Sequence, residues 1–590
     1  MKKLVTIVLL AIFGLSANAQ QGLIWYKNWN SGTTQQDQGY AVTYDASGNV
    51  YVTGAANNAS GSTTSYIETI KYNSSGTVVW STAYPSGGAS HKNYGTAIAV
   101  DNHGNTWVAG TLYDGSANHL VLIKYSPTGH IRPYYPKSYS DSPGSTAVPI
   151  GTCIAVVDST DVYIGGSTYN NSTTTWSLIV NKDNASASGW AWTYTKAGSS
   201  SSTNISTATD LKANSSDVWV TGYVYSSTTH EDCWTAEINS GGTYQWGYSF
   251  DGTDSKDDEA NAMCVDASGN VWIVGYSTTN SNGKDALIAE YNSGGRVWYK
   301  TYNNGTYNLD EVFTDVAYGE KCSGSGILIY AGGYIEKSGN VNTYDYDYML
   351  AAYDNTAQAL TTLWNNPNNP VFYDGGAGVP EATGTDQGYS VAYETTTKRV
   401  YITGRSDETV ANGGINITTI GYAACSGSSV WSASYNYNNQ NLSSRPDEMF
   451  WKYGMVVKYA VCSEDNVYIT GESYGTSGFD YITLEYGYTG VPCSIADPGG
   501  RLAHNSEEVQ TGLYPNPFST NAVLRLSPET VISNAGLSVY DISGKLVSSV
   551  NNITSNDIII SRGNLKNGLY YYTLTDKGNI ITKGKFIITD

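Results

Sequence analysis

Carboxylates recur in this chain at two kinds of place. One set stands just ahead of a strand rich in small residues: Asp37, Asp258 with Glu259, Asp310 with Glu311, Asp386, and Asp447 with Glu448. A second set stands just ahead of a longer apolar strand: Asp232, Asp285, Asp347 and Asp480. Grouped oxygen ligands can hold Ca2+. Carboxylates around a narrow mouth can also draw in a cationic ligand, because a summed field that salt screens over about 8 Å still acts across a small opening. No D-x-[DN]-x-[DN]-G loop is present, so Ca2+ would need another arrangement. The plainer reading is that each acid accepts N–H groups of its own loop, and recurrence in many units favours it. Features that occur once are better site candidates. Phe450, Trp451 and Tyr453 follow Asp447 and Glu448 in a long connection, and aromatic faces beside carboxylates suit a sugar or a peptide. The stretch "YYPKSY" at Tyr134–Tyr139 is a weaker case of the same kind. Against both stands simple packing of an aromatic into a gap.

Catalysis finds little support in residue types. The six histidines, His91, His103, His119, His130, His230 and His504, have no pair at metal-ligand spacing. No glycine-rich loop is placed to cradle a phosphate. Carboxylate pairs could serve glycoside hydrolysis, but aspartate is too common here for a pair to be informative. No cofactor is expected, with Ca2+ left open.

The elements that must position these residues repeat. The phrase "DASGNVYVTG" at Asp45 returns as "DASGNVWIVG" at Asp266. Its closing glycine recurs at Gly54, Gly110, Gly166, Gly222, Gly275, Gly333, Gly404 and Gly471, at successive spacings of 56, 56, 56, 53, 58, 71 and 67 residues. Each unit reads as four strands. In the first, "GYAVTY", "VYVTG", "YIETIKY" and "TVVWSTAY" are separated by Asp/Asn/Gly turns. Four short antiparallel strands in roughly 50 residues make a propeller blade. Eight motifs predict an all-β, eight-bladed β-propeller, with seven blades as the alternative. Small residues such as Ala41, Ala97, Ala99, Ala155 and Ala262 suit an innermost strand, and aromatics such as Tyr51, Trp80, Trp107, Trp272 and Trp431 suit the gaps between blades that flare outward. The last unit stops at its third strand. The early stretch "GLIWYKNWN" looks like the missing fourth strand, which would fasten the ring and remove an open edge.

The N-terminal "MKKLVTIVLLAIFGLSANAQ" has the basic start, short apolar run and small-residue site of a secretory signal peptide, residues 1–19. No other run would cross a membrane as a helix. A net charge of −20, with no Lys/Arg clusters, argues against nucleic acid. Seven cysteines leave at least one unpaired within the chain, and a disulfide among Cys425, Cys462 and Cys493 is the expectation if one forms.

Two resemblances add to this reading. The units, with "D-x-x-G-N-V-Y-V-T-G" followed by "K-Y-N-x-x-G-x-x-x-W", resemble the SBBP class of bacterial propeller repeat over roughly residues 23–491. Beyond a linker at 493–509, residues 510–590 read as a small β-sandwich. The stretch Tyr514-Pro515-Asn516-Pro517-Phe518, the "VYDISGKLV" hairpin and the final strands around Gly568-Leu569-Tyr570 and Lys583-Gly584-Lys585 resemble the C-terminal sorting domain of type IX secretion substrates of Bacteroidota. That resemblance implies export across the outer membrane, removal of the domain, and release or attachment at the surface. The propeller, residues 20–492, is then expected to act as a secreted or surface binding, adhesion or structural module for a glycan or protein. The alternative is an extracellular enzyme on the same scaffold, either a glycan hydrolase or lyase or a quinoprotein-like dehydrogenase, whose blade motif "EYNSGGRVW" is similar to.

Overall fold

The computed structural model describes residues 20–31, 37–57, 65–84, 93–113, 118–139, 151–280, 283–305, 309–321, 326–337, 345–360, 364, 370–374, 386–408, 414–435, 454–460, 464–474, 479–489, 512–514, 518–526, 534–541, 545–554, 557–563, 565–577 and 579–589. The expected signal peptide, the connection carrying Asp447, Glu448, Phe450, Trp451 and Tyr453, and the linker at 493–509 lie outside them. Two units divide the chain, Met1–Ala496 and Asp497–Asp590.

The described residues of the first unit form eight antiparallel sheets, with no helix. In blade 1, Gln38–Tyr44, Val50–Asn57, Ser65–Tyr72 and Val78–Tyr84 pair in chain order. The same meander makes blades 2 to 7, over residues 94–139, 151–200, 207–250, 258–302, 311–373 and 387–435. In blade 6 the outer position is shared by two short pieces, Ala359–Leu360 and Val371–Tyr373. Blade 8 takes three strands from the end of the unit, Gly454–Ala460, Glu464–Tyr474 and Phe479–Thr489, and its outer strand is Gln20–Trp29. That strand pairs from Gln20↔Thr489 to Trp29↔Tyr481. The first strand of every blade touches the first strand of the next, and that of blade 8 touches that of blade 1. The sheets therefore form a closed ring, an all-β propeller.

Local chemistry explains the repeated phrase. In blades 1 to 7 the first strand carries a β-bulge at the same place, as at Gly39/Ala41 and Ala260/Ala262. The extra residue pushes a carbonyl toward the closing glycine of the second strand. A Cβ on Gly54 would sit 1.9 Å from the Gln38 oxygen, and one on Gly275 1.8 Å from that of Glu259. Only glycine fits such an approach. The turn aspartate is equally constrained. Asp101 accepts the His103 and Asn105 N–H groups at 2.9 and 2.8 Å, and the Trp107 indole N–H at 3.0 Å. Asp45 accepts the N–H groups of Ser47 and Asn49 and the Tyr51 hydroxyl in the same way.

Blades are locked by a second device. An aromatic at the outer edge of several blades lies against the glycine turn between the third and fourth strands of the next blade. Trp80 packs on Gly129 and donates to the Pro127 carbonyl at 3.0 Å. Trp192 packs on Gly242 and donates to Ser240, and Trp364 packs on Gly427 and donates to Ala424. Trp25, from the N-terminal strand, packs on Gly76 of blade 1. Between blades 2 and 3 an ion pair takes this place. Lys137, within "YYPKSY", is buried and reaches Asp183 at 2.5 Å, with both side chains fully enclosed. The Tyr135 hydroxyl donates to the same carboxylate at 2.6 Å, and its ring stands edge-on to Trp107. That stretch is a strut between blades, although Tyr134 itself is exposed.

In the second unit, Gly512–Tyr514, Asn521–Arg525 and Asp557–Ser561 make one sheet, and Leu546–Ile553, Ala535–Tyr540, Gly568–Asp576 and Asn579–Ile588 another. Phe518, Leu524, Leu537, Ile560, Leu574 and Phe586 belong to one core that both sheets share, a small sandwich. Cys153, Cys233 and Cys264 are buried thiols, and Cys425 is disulfide-bonded. No helix among the described residues is long and apolar enough to cross a membrane.

Candidate functional site

The two sets of acids in the sequence meet in space. Where a blade's third strand begins, it faces the start of the next blade's first strand. Asp232 meets Asp258 there, and Asp347 meets Asp386. The charge of Asp285 bears on Glu311, and that of Asp480 on Asp37. At the junction of blades 1 and 2 both positions are neutral, Ser65 and Asn93, and they hydrogen-bond each other's backbone. Asp37, Asp258, Glu311 and Asp386 are almost fully buried, at 0, 0, 0 and 2 % exposure. They present no charged rim to a solute. Asp37 accepts the Ser31 and Asn57 N–H groups at 2.7 and 2.9 Å, and Asp258 accepts that of Gly252 at 2.6 Å. Asp310 is half-buried and accepts the Lys284 N–H at 3.0 Å.

Burial raises several of the acids at these junctions. Burial, reinforced by neighbouring carboxylates, pushes Glu311 up to about 8, and Asp232 and Asp258 up to about 6. Asp347 is pushed up to about 7 by burial against the opposing pull of Lys337. Glu68 reaches about 7 by burial, with the Ser81 hydrogen bond opposing. All five lie above their unfolded values, so the folded protein binds protons that the unfolded chain releases. Their stabilisation is complete below the ordinary carboxylate range and is lost as pH rises through 6 to 8. Acids held low by their hydrogen bonds, such as Asp45, Asp158 and Asp354, have the opposite sign but titrate below this window. In metal-free buffer the thermal midpoint should therefore rise as pH is lowered from 8.5 to 5.5. A scan that is flat or falls over that range would contradict this account.

Among the described residues, the densest group of chemistry-bearing side chains lies where blades 4 and 5 meet. His230, Glu231 and Asp232 open the third strand of blade 4, His230–Asn239. Asp251 follows that blade's last strand, and Asp257, Asp258 and Glu259 enter blade 5. Alternation along the strands separates Glu231, Asp257 and Glu259 from Asp232 and Asp258, and His230, whose φ of 66° breaks the alternation, joins the first set. In that group, ligand atoms of His230, Glu231 and Asp257 lie within 4.8 Å of one another; in the other, those of Asp232, Asp251 and Asp258 do. In the first group, burial and the hydrogen bond it donates to Asp257 raise Glu231, while accepting that bond lowers Asp257. The pair shares one proton. Beside it, Glu259 lies opposite Tyr276 in the sheet and hydrogen-bonds its hydroxyl. The Lys284 ammonium sits over the Tyr276 ring, 4.0 Å from its centroid. His230 and Asp257 side chains are about half exposed, at 54 and 48 %, so this group faces solvent.

Of the residues singled out in the sequence, Asp232, Asp258 and Glu259 belong to this centre. Asp37, Asp310 and Asp386 stand at other junctions, and Asp447, Glu448, Phe450, Trp451 and Tyr453 lie outside the described residues. Glu231, Asp257 and His230 were not singled out as a site, because a search for histidine pairs along the chain cannot see a cluster assembled from two blades. A signal for the junctions was present all the same: acid at one blade's third-strand entry accompanies acid at the next blade's first-strand entry. No G-x-S-x-G elbow is expected from the sequence, yet that spacing does occur at Gly471–Gly475. Through Tyr474 it lies in the extended strand Glu464–Tyr474, not in the strand–turn–helix elbow that a nucleophilic serine needs.

Residues 512–589 match the secretion system C-terminal sorting domain. The chain is exported. The match marks it as cargo of type IX secretion, bound for the cell surface or beyond it. No curated protein matches the chain. Among solved structures it is similar to the β-propeller domain of the Trilobed protease from Pyrococcus furiosus, at 8 % identity over 66 % of this chain and 93 % of that one, with a TM-score of 0.32. It is also similar to the polysaccharide lyase Uly1, at 9 % identity over 76 % and 89 %, TM-score 0.31, and to an endo-arabinase from Bacteroides thetaiotaomicron, at 12 % identity over 47 % and 99 %, TM-score 0.25. At these scores the likenesses carry no argument about what the exported propeller does.

Proposed function

We propose that the exported propeller is an extracellular binding module, and that its glycan or protein ligand docks where blades 4 and 5 meet, on Glu231, Asp257, Glu259, Tyr276 and Lys284. The observation that carries this reading is the partly exposed acid pair with the Lys284 amine beside it, backed by the Tyr276 phenol, which is itself buried at 6 % exposure. Together they offer donors and acceptors at fixed positions beside an aromatic ring, the usual make-up of a site for hydroxyl- or amide-rich ligands. Binding is favoured over glycoside hydrolysis by the acid pair itself. Hydrolytic carboxylates stand about 5–9.5 Å apart across the scissile bond, whereas Glu231 and Asp257 are in hydrogen-bond contact. The quinoprotein-like motif has a structural use here, because its turn glycines receive the preceding blade's aromatic.

Glycan and peptide arrays probed with the wild-type chain, Glu231→Gln/Asp257→Asn and Trp451→Ala test the proposal. The acid-pair variant should lose at least tenfold in affinity for the preferred ligand while Trp451→Ala keeps it. The reverse pattern would move the site to the connection between blades 7 and 8. Turnover of an array glycan by the wild-type chain, abolished in the acid-pair variant, would replace binding with catalysis.

A further inference from the structure

The second group at the same junction, Asp232, Asp251 and Asp258, has a different character, and its meaning comes from comparing four junctions of one ring. At each, an acid at the third-strand entry meets an acid at the next first-strand entry. What differs is the residue directly after the outer strand. At the blade 8–1 and 5–6 junctions it is asparagine. Asn30 donates its amide to Asp480 at 2.5 Å, and Asn303 donates to Asp285 at 2.7 Å. At the 6–7 and 4–5 junctions it is aspartate, Asp374 and Asp251, so a third carboxylate enters where a donor would be. The 6–7 junction supplies its own cation. The Lys337 ammonium pairs with Asp347 and stands 3.9 Å from Asp374. At the 4–5 junction the Lys284 ammonium lies with the first group, over Tyr276, and acts on Asp257 and Glu259. Among the described residues, none of Asp232, Asp251 and Asp258 pairs with a lysine or arginine.

Two carboxylate oxygens in this group are also left without partners. Asp258 is fully buried, and its Oδ1 makes no hydrogen bond; the buried Oδ1 of Asp232 makes none either. Asp232 Oδ2 is held by the Thr229 hydroxyl at 2.6 Å, and the Asp258 carboxylate by the Gly252 N–H at 2.6 Å on Oδ2 and by the Ser277 hydroxyl, which fixes both carboxylates and leaves each Oδ1 unused. Enclosed, unpaired anionic oxygens cost free energy unless a cation meets them. Asp251 is exposed, which leaves a way in and room for water ligands.

We propose that Asp232, Asp251 and Asp258 form a Ca2+ site that clamps the entry of blade 4's third strand to the entry of blade 5. Three carboxylates supply up to six hard oxygens, and water on the Asp251 side completes the six to eight that Ca2+ takes. The site goes beyond the ligand-binding reading above and uses none of its residues.

Isothermal titration of CaCl2 into chelator-stripped full-length chain tests it, with thermal unfolding alongside. The expected result is one ion per chain, in the roughly 10⁻⁴–10⁻³ M range of extracellular modules, and a rise in melting temperature. Asp258→Asn and Asp232→Asn should lose both. In chelator these variants should melt no lower than wild type, because each removes an unpaired charge while keeping the shape. Three results would overturn the site: no heat and no shift in excess Ca2+, a response unchanged in both variants, or variants that are less stable than wild type in chelator. Lys337→Met tests the comparison itself. It should melt lower than wild type in chelator and recover with Ca2+ through a second bound ion; a variant indifferent to both would mean that such a triad needs no cation.

Discussion

A chain that starts at Ser31 will fail to close its propeller. The missing strand, Gln20–Trp29, pairs along Tyr481–Thr489 of the strand Phe479–Thr489. It also carries Trp25 onto the Gly76 turn and Tyr72 of blade 1, and Trp29 onto Tyr481. Its loss strips the cover from Tyr481, Ile482, Leu484 and Tyr486, all 0–2 % exposed in the closed ring, and leaves a long unpaired edge that invites aggregation. Truncating one buried aromatic costs about 3–5 kcal/mol, and several are uncovered together, against a total stability of about 5–15 kcal/mol. The truncated chain should be insoluble or oligomeric by size-exclusion chromatography, and a synthetic peptide of residues 20–31 added during refolding should recover monomer. A truncated monomer with the wild-type unfolding midpoint would show that the ring does not depend on this strand.

Replacing Lys137 with methionine should destabilise the propeller by about 3–5 kcal/mol, the usual result of removing one partner of an enclosed ion pair. The Asp183 carboxylate would keep only the Tyr135 hydroxyl as a partner, inside a region with no access to water. Most of the cost is the stranded charge, not the lost contact. The double variant Lys137→Met/Asp183→Asn should therefore recover more than half of it, since asparagine still accepts from Tyr135 but carries no charge. Unfolding in urea, followed by tryptophan emission, reads all three proteins. A single variant within about 0.5 kcal/mol of wild type, the range of an ordinary surface change, would mean that the pair is hydrated.

The ring was legible because its signals are local or repeated. Strand alternation, Asp–Asn–Gly turns and the returning "VYVTG" each follow from the chemistry of a few neighbouring residues, and the aromatic pattern of "GLIWYKNWN" marks an outer strand wherever it stands in the chain. The reason for the closing glycine was not legible, because the bulge opposite Gly54 is a property of two strands. Nor was the destination of Trp80 or Trp192, whose partners lie in the next blade. The site suffered most from this. Asp232 and Asp258 could be named in the sequence, but as members of two separate sets spread around a mouth. Folding sinks them into the joints between blades, and sets Glu231 and Asp257 beside them by alternation where two strands of neighbouring blades begin, with His230 joining them at a positive φ. The divided outer edge of blade 6 was hidden too, because its two short pieces lack the run of alternating residues that announces a strand.

The pairing of Gln20 with Thr489 also sets an order of events in time. The first described strand has no partner until nearly 500 residues have been made and delivered, and contacts so remote in sequence form late and slowly. Seven blades can each assemble as soon as their own segments emerge; the eighth must wait for both of its halves. During that interval the leading strand is an adhesive ribbon in search of an edge. Whatever escorts the polypeptide outward has to shield that ribbon until the last blade arrives to receive it.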